Sequence, residues 1–231
     1  MNQTPEKKLC KNCNSELAGL YCSECGQKNI ESFTFSKLVK DFFDNIFSLD
    51  SRLFQTLKFL IIRPGFLTNE YWSGKRITYL PPFRLYLLTS ILYFFIPHDE
   101  SHRPRAEAFF SLLQPGFFVL MPCMALILLI LYRKNNLLYF HHFITTLHFH
   151  SFMFFMFAIN NILLYFFFGN EISIVNNIFV LIILIYLFFM LKNIYIESLT
   201  KVVIKFAILI CIYAALFVSA ILIIGTFVKQ L

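Results

Sequence analysis

From about residue 80 to residue 228 the chain is a series of long apolar runs separated by short polar gaps. The runs lie at about 80–97, 115–132, 143–168, 174–191 and 203–228. A helix needs about 20 consecutive apolar residues, with a range of roughly 17–25, to cross the hydrocarbon of a bilayer. No water is present there to satisfy backbone N–H and C=O groups, so runs of this length must fold as helices. The expectation is an all-α membrane protein with about five transmembrane helices. Composition agrees: 14% of the residues are charged, against about 25% in a soluble domain. The first run is short. Pro81 and Pro82 open it and Pro97 closes it, so a re-entrant segment is the alternative to a full crossing.

The formal net charge is +7, and its distribution reads as topology. Twelve of the 20 Lys and Arg lie between Lys7 and Arg84. If all five runs cross, Arg133, Lys134, Lys192, Lys201 and Lys205 share a side with this basic N-terminal region, and Arg103, Arg105 and Lys229 lie opposite. If the first run does not cross, the later loops exchange sides. The positive-inside rule therefore favours five spans, with the N-terminus in the cytoplasm and the C-terminus outside. The first thirty residues are polar and carry no signal-peptide pattern. Thiols there stay reduced.

Residues 1–30 form a polar head containing CKNCNSELAGLYCSECGQKN. Cys10 and Cys13 form one CxxC pair and Cys22 and Cys25 a second, with eight residues between the pairs. Each pair makes a tight knuckle that offers two thiolates to one ion, and four thiolates in a tetrahedron are what a closed structural zinc site takes. A redox dithiol pair and an iron–sulfur site are the alternatives. Gly26 follows the last cysteine, where a knuckle often needs a positive φ, and Asn14 stands at the matching place in the first pair. So small a region has almost no core, and metal binding would supply its folding energy. Its expected use is docking to a cytoplasmic or membrane protein partner. Lys7, Lys8, Lys11 and Lys28 are offset by Glu6, Glu16, Glu24 and Glu31, which argues against nucleic acid. Cys123 and Cys211 lie in apolar runs and read as ordinary small buried residues.

Residues 31–79 alternate apolar and charged side chains at helical spacing. Phe35, Leu38, Phe42 and Ile46 form one stripe. After a break at Ser48–Ser51, Leu53, Leu57, Leu60 and Ile61 form a second, with Asp50 or Ser51 as its cap. Two amphipathic helices lying on the membrane surface are expected, with packing on each other as the alternative. The stretch WSGKRITYLPPFRLY then mixes rings and cations at the mouth of the first run, as an interface requires. Lys75, Arg76 and Arg84 are candidates to hold an anionic lipid headgroup, although orienting the first span needs the same composition. PRAEAFFSLLQ before Pro115 reads as a short interfacial helix.

In the third run, HHFITTLHFHSF places His141, Thr145 and His148 on one helical face. His148 and His150 lie about two turns deeper than His141 and form a candidate intramembrane polar site. Haem or metal ligation there is the sharp reading; interfacial imidazoles bonded to neighbouring helices or to headgroups is the plainer one, and the favoured one. Asn160 and Asn161 are expected to bond across helices. HExxH, GxSxG, P-loop and GxGxxG patterns are absent, and no Asp, Glu, Lys or Arg sits deep in a run. A non-enzymatic protein is expected. A metal or haem redox protein and a lipid or small-molecule transporter are the alternatives.

YCSECGQKN, LDSRLFQTLKFLIIRPG, YWSGKRITYLPPFRLY and LHFHSF together resemble domain-of-unknown-function family 3667, bacterial membrane proteins. The pattern GKR-x2-Y-x2-P-x-R-x-Y is the most specific part. The resemblance implies a zinc-ribbon head on a multi-span domain in the bacterial inner membrane, and it supplies no activity, substrate or catalytic residue. The expected organisation is a zinc ribbon at 1–30, an amphipathic and interfacial segment at 31–79 and a transmembrane helical domain at 80–231.

Overall fold

The computed structural model of the chain describes residues 8–29, 52–96, 104–168 and 173–230. The first expected amphipathic helix, with Phe35, Leu38, Phe42 and Ile46, lies outside these residues, as does the expected cap at Asp50 or Ser51. Seven α-helices form the described fold: α1 Arg52–Ile62, α2 Phe66–Trp72, α3 Pro82–Phe95, α4 Pro104–Leu131, α5 Tyr139–Leu163, α6 Ser173–Ile194 and α7 Leu199–Gln230. Among the described residues, β-pairing is limited to two isolated bridges in the cysteine head.

Three helical segments are long and apolar enough to cross a membrane: Tyr139–Phe166, Ile174–Ile194 and Leu199–Ile223. Pro82–Phe95 and Phe117–Leu131 are shorter apolar helices. The most apolar window of α5 is 50% buried by protein and that of α7 only 6%, which makes α5 the central helix and α7 a peripheral one. The interfacial helix expected before Pro115 is not separate. It is continuous with the next apolar run in α4, with Pro115 and Pro122 inside it; membrane helices tolerate such breaks in the ladder when neighbouring groups satisfy the freed carbonyls.

The short first run has a structural counterpart. At 14 residues, α3 is about 21 Å long at 1.5 Å per residue, short of the ~30 Å hydrocarbon. The α1–α2 hairpin packs on the C-terminal half of α6. Tyr186 on α6 donates its hydroxyl to Leu60 O at 2.6 Å, and Asn193 Nδ2 donates to Pro64 O at 2.9 Å. Gly65 joins the two helices at φ +83°, and a Cβ there would lie 3.0 Å from Ile194 Cγ1 and 3.1 Å from Met190 O. Only glycine fits so close an approach in a left-handed conformation. α3 packs chiefly on α5. Tyr86 and Tyr93 of α3 lie 5.7 and 5.6 Å from Phe154.

One expected face is rearranged. Leu60 is buried as anticipated, but Ile61 is 40% exposed and Thr56 is fully buried. The hydroxyl of Thr56 is needed inside. It donates to Arg52 O at 2.7 Å and accepts from Leu80 N at 3.0 Å, fixing the strand that leads into α3.

Candidate metal centre and the buried histidines

The head is built from one hydrogen-bonding pattern used twice, with the second copy displaced from Cys10 to Cys22. In the first loop Cys10 N donates to Ser15 O, Asn14 N to Cys10 O and Leu17 N to Lys8 O; in the second Cys22 N donates to Gln27 O, Gly26 N to Cys22 O and Asn29 N to Leu20 O. Asn14 and Gly26 hold equivalent left-handed positions, at φ 62° and 70°. Both were legible in the sequence, because the knuckle turn demands a residue that tolerates this conformation.

The repeat brings the four sulfurs together. Cys10, Cys13, Cys22 and Cys25 have ligand atoms all within 4.8 Å of one another. Cys10 Sγ lies 3.7 Å from Cys25 Sγ, and Cys13 Sγ 3.5 Å from Cys22 Sγ. A tetrahedral ion with metal–sulfur bonds of ~2.3 Å has an edge of about 3.8 Å, so the four thiolates fit a single ion. All six cysteines are free thiols. Among the described residues, no other group of three or more His, Cys, Asp or Glu could hold a metal ion.

The thiols differ in acidity. The Ser15 hydroxyl, 3.2 Å from Cys13 Sγ, and then the Ser15 backbone amide pull Cys13 down to about 6. At Cys25 the Gln27 backbone amide acts to lower the value, but burial and the three neighbouring thiols outweigh it and push the thiol up to about 11. An ion binds thiolates and releases their protons. Cys13 gives up its proton around pH 6, whereas Cys25 must release one throughout the physiological range. Affinity therefore falls as pH falls, at tenfold per unit from Cys25 alone. Competition with a chromophoric chelator should show zinc held at least about a hundredfold more weakly at pH 6 than at pH 8.

The head is seated on the chain's own strap, residues 74–80. Gln27 Nε2 donates to Gly74 O at 2.8 Å, and Arg76 N donates to Gln27 Oε1 at 3.1 Å. Thr78 Oγ1 donates to Asn12 Oδ1 at 2.8 Å. The expected headgroup cations lie on or next to this segment. Lys75 Nζ is bonded to Glu70 Oε2 at 2.7 Å, the Arg76 guanidinium stands over the Tyr71 ring at 5.8 Å, and Arg84 is buried in α3 at 5% exposure. Neither Gln27 nor Asn12 was singled out by the sequence, where both look like solvated polar residues.

Three of the four histidines of α5 bond to different parts of the chain. His148 Nδ1 shares a 2.9 Å hydrogen bond with Thr68 Oγ1 of α2. His150 Nδ1 donates to Thr146 O at 2.7 Å, so its Nε2 accepts from Tyr213 of α7, also at 2.7 Å. His142 Nδ1 is 2.6 Å from the hydroxyl of Tyr195, whose ring stacks on Tyr132 at 3.7 Å. Both nitrogens of His150 are thus engaged within the protein. Asn160 Nδ2 donates to Asn176 Oδ1 at 2.6 Å, across helices as expected. Thr68, Tyr195 and Tyr213 carried no signal in the sequence, since a partner hydroxyl far along the chain leaves no local pattern. Thr68→Val keeps the shape but leaves His148 Nδ1 without its partner. The expected loss is about 1 kcal/mol, near the ~0.6–1.7 kcal/mol range of hydrogen bonds inside membrane proteins. Thermal denaturation in detergent measures it, and the same change on a His148→Leu background should cost less.

Residues 50–94 match the family model described as "Protein of unknown function (DUF3667)". The match covers α1, α2, the strap and all but the last residue of α3. No curated protein and no solved structure matches the chain.

Proposed function

We propose that the chain is a non-enzymatic, membrane-anchored interaction or regulatory protein of the bacterial inner membrane, whose cytoplasmic head is a zinc ribbon that binds a protein partner. The observation that carries this reading is the convergence of Cys10, Cys13, Cys22 and Cys25 within 4.8 Å on a chain with three membrane-length helices. A four-cysteine site is closed, and closed sites are structural rather than catalytic. The head also spends large apolar side chains on its surface. Leu9, Leu20 and Tyr21 are 56, 72 and 58% exposed, as suits a docking face.

Five crossings with the N-terminus inside is the topology proposed. In support, the Trp72 ring beside the strap lies 5.4 Å from His141 at the start of α5 and 6.1 Å from Tyr195 just past α6. The head, the basic loop at Arg133 and Lys134, and the start of α7 with Lys201 and Lys205 then share one face, as the positive-inside rule asks.

Elemental analysis of the detergent-purified protein tests the metal. One zinc per chain and no iron is expected. Zinc beyond one ion would add a metal centre outside the head, and iron in place of zinc would make the head an iron site and replace the zinc-ribbon reading. For the interaction, chemical cross-linking in native membranes is expected to lose a stoichiometric product on Leu20→Ser with Tyr21→Ser; unchanged products would sink the docking role.

A further inference from the structure

We propose that the four-cysteine head is an intramolecular clasp: with its ion bound it holds the strap at residues 74–78, and without the ion it lets the strap go. The inference rests on the metal-binding reading of the four cysteines and gives that site a task within the chain.

The grip is specific. Gln27 is 8% exposed, and its amide donates to Gly74 O at 2.8 Å while accepting from Arg76 N at 3.1 Å. One side chain thereby answers two backbone groups of the strap, as a neighbouring strand would. Asn12 accepts from the Thr78 hydroxyl at 2.8 Å. Lys11 lies over Gly74 so closely that a Cβ there would be 2.9 Å from Lys11 Cδ. Both knuckles therefore take part.

The ion and the grip share a backbone. Asn12 stands between Cys10 and Cys13, and the Gln27 backbone amide hydrogen-bonds to Cys25. Fixing the four sulfurs fixes the two loops that aim Asn12 and Gln27. Ser15 occupies the place equivalent to Gln27 in the first loop, but its hydroxyl turns onto Cys13 Sγ at 3.2 Å. On the other side the strap is held by α1, through Arg52 to Ile77 O and Leu80 N to Thr56. Release on the head side would take the Gln27 partner from Gly74 O and Arg76 N and slacken the lead into α3. The metal state of the head would then be read in the membrane-embedded helices.

The test uses the full chain in detergent micelles. Lys75 and Arg76 are the trypsin sites of the strap, and cleavage after each is followed by mass spectrometry. Stripping zinc with a high-affinity chelator is expected to speed cleavage there at least tenfold, and added zinc to restore protection. Gln27→Ala keeps all four cysteines. It is expected to retain one zinc by elemental analysis and still be cut at the fast rate. A protein that loses zinc with unchanged strap cleavage, or a zinc-loaded Gln27→Ala variant cut as slowly as the parent, overturns the clasp and leaves the metal site standing. A protein that takes up no zinc overturns both.

Discussion

Cys22→Ser is expected to abolish metal binding, taking the purified protein from about one ion per chain to none. Among the described residues the head has no apolar core of its own. Among residues 8–29 the buried side chains are Cys10, Cys22 and Gln27, which is no hydrophobic core. In such small domains the ion supplies the folding free energy, about 10–16 kcal/mol in zinc-finger peptides at neutral pH. Cys22 is 3% exposed and central to its loop, because its N–H is bonded to Gln27 O and its carbonyl to Gly26 N. Loss of one thiolate leaves three ligands and a less organised loop. Hydrogen exchange over residues 8–29 should rise to the rate of an unfolded peptide, while α5 and α6 stay protected. Cys211→Ser, at a position on α7 that is exposed and not buried as its apolar run suggested, should change neither metal content nor exchange. Retention of a full ion by Cys22→Ser would place the metal elsewhere and remove the centre described above.

The features visible in the sequence are those whose causes are local. CxxC spacing, a left-handed residue after each knuckle and apolar runs of membrane length each follow from a few neighbouring side chains. The cysteine cluster, Asn14, Gly26 and the helices α5 to α7 were legible for that reason. The seat of the head was not. Gln27 and Asn12 grip residues far along the chain, and no periodicity encodes such a contact. The packing of α1 against α6 through Leu60 was not legible either, because a short amphipathic face can be satisfied by lipid or by another helix, and the pattern is the same in both cases. Thr56 shows the limit sharply. A polar residue beside Leu57 and Leu60 reads as the outer face, yet the unpaired N–H of Leu80 draws its hydroxyl inside. Arg84 likewise reads as an interface cation and is buried.

The chain has 31 phenylalanines, and hydropathy alone cannot rank them. Tertiary packing does, and Phe154→Ala is expected to be among the most destabilising single changes in the membrane domain. Phe154 is 0% exposed. Its ring lies 5.2 Å from Phe117 of α4 and 5.7, 5.6 and 5.7 Å from Tyr86, Tyr93 and Phe94 of α3. It therefore joins the central helix to both short apolar helices at one point. Burying a ring gains little over lipid, which is itself apolar, so the transfer part of the usual cost is small. The lost contacts and the cavity remain, because four aromatic neighbours on two helices cannot collapse onto a methyl group. The expected loss is about 3 kcal/mol, the lower end of the roughly 3–5 kcal/mol seen for Phe→Ala in soluble cores. Phe166→Ala, at a side chain 70% exposed on the same helical segment, should change stability by less than about 0.5 kcal/mol. Denaturation by SDS titration in mixed micelles compares the two. Equal midpoints would mean that Phe154 faces lipid, and that α3 and α4 do not meet on α5 as described.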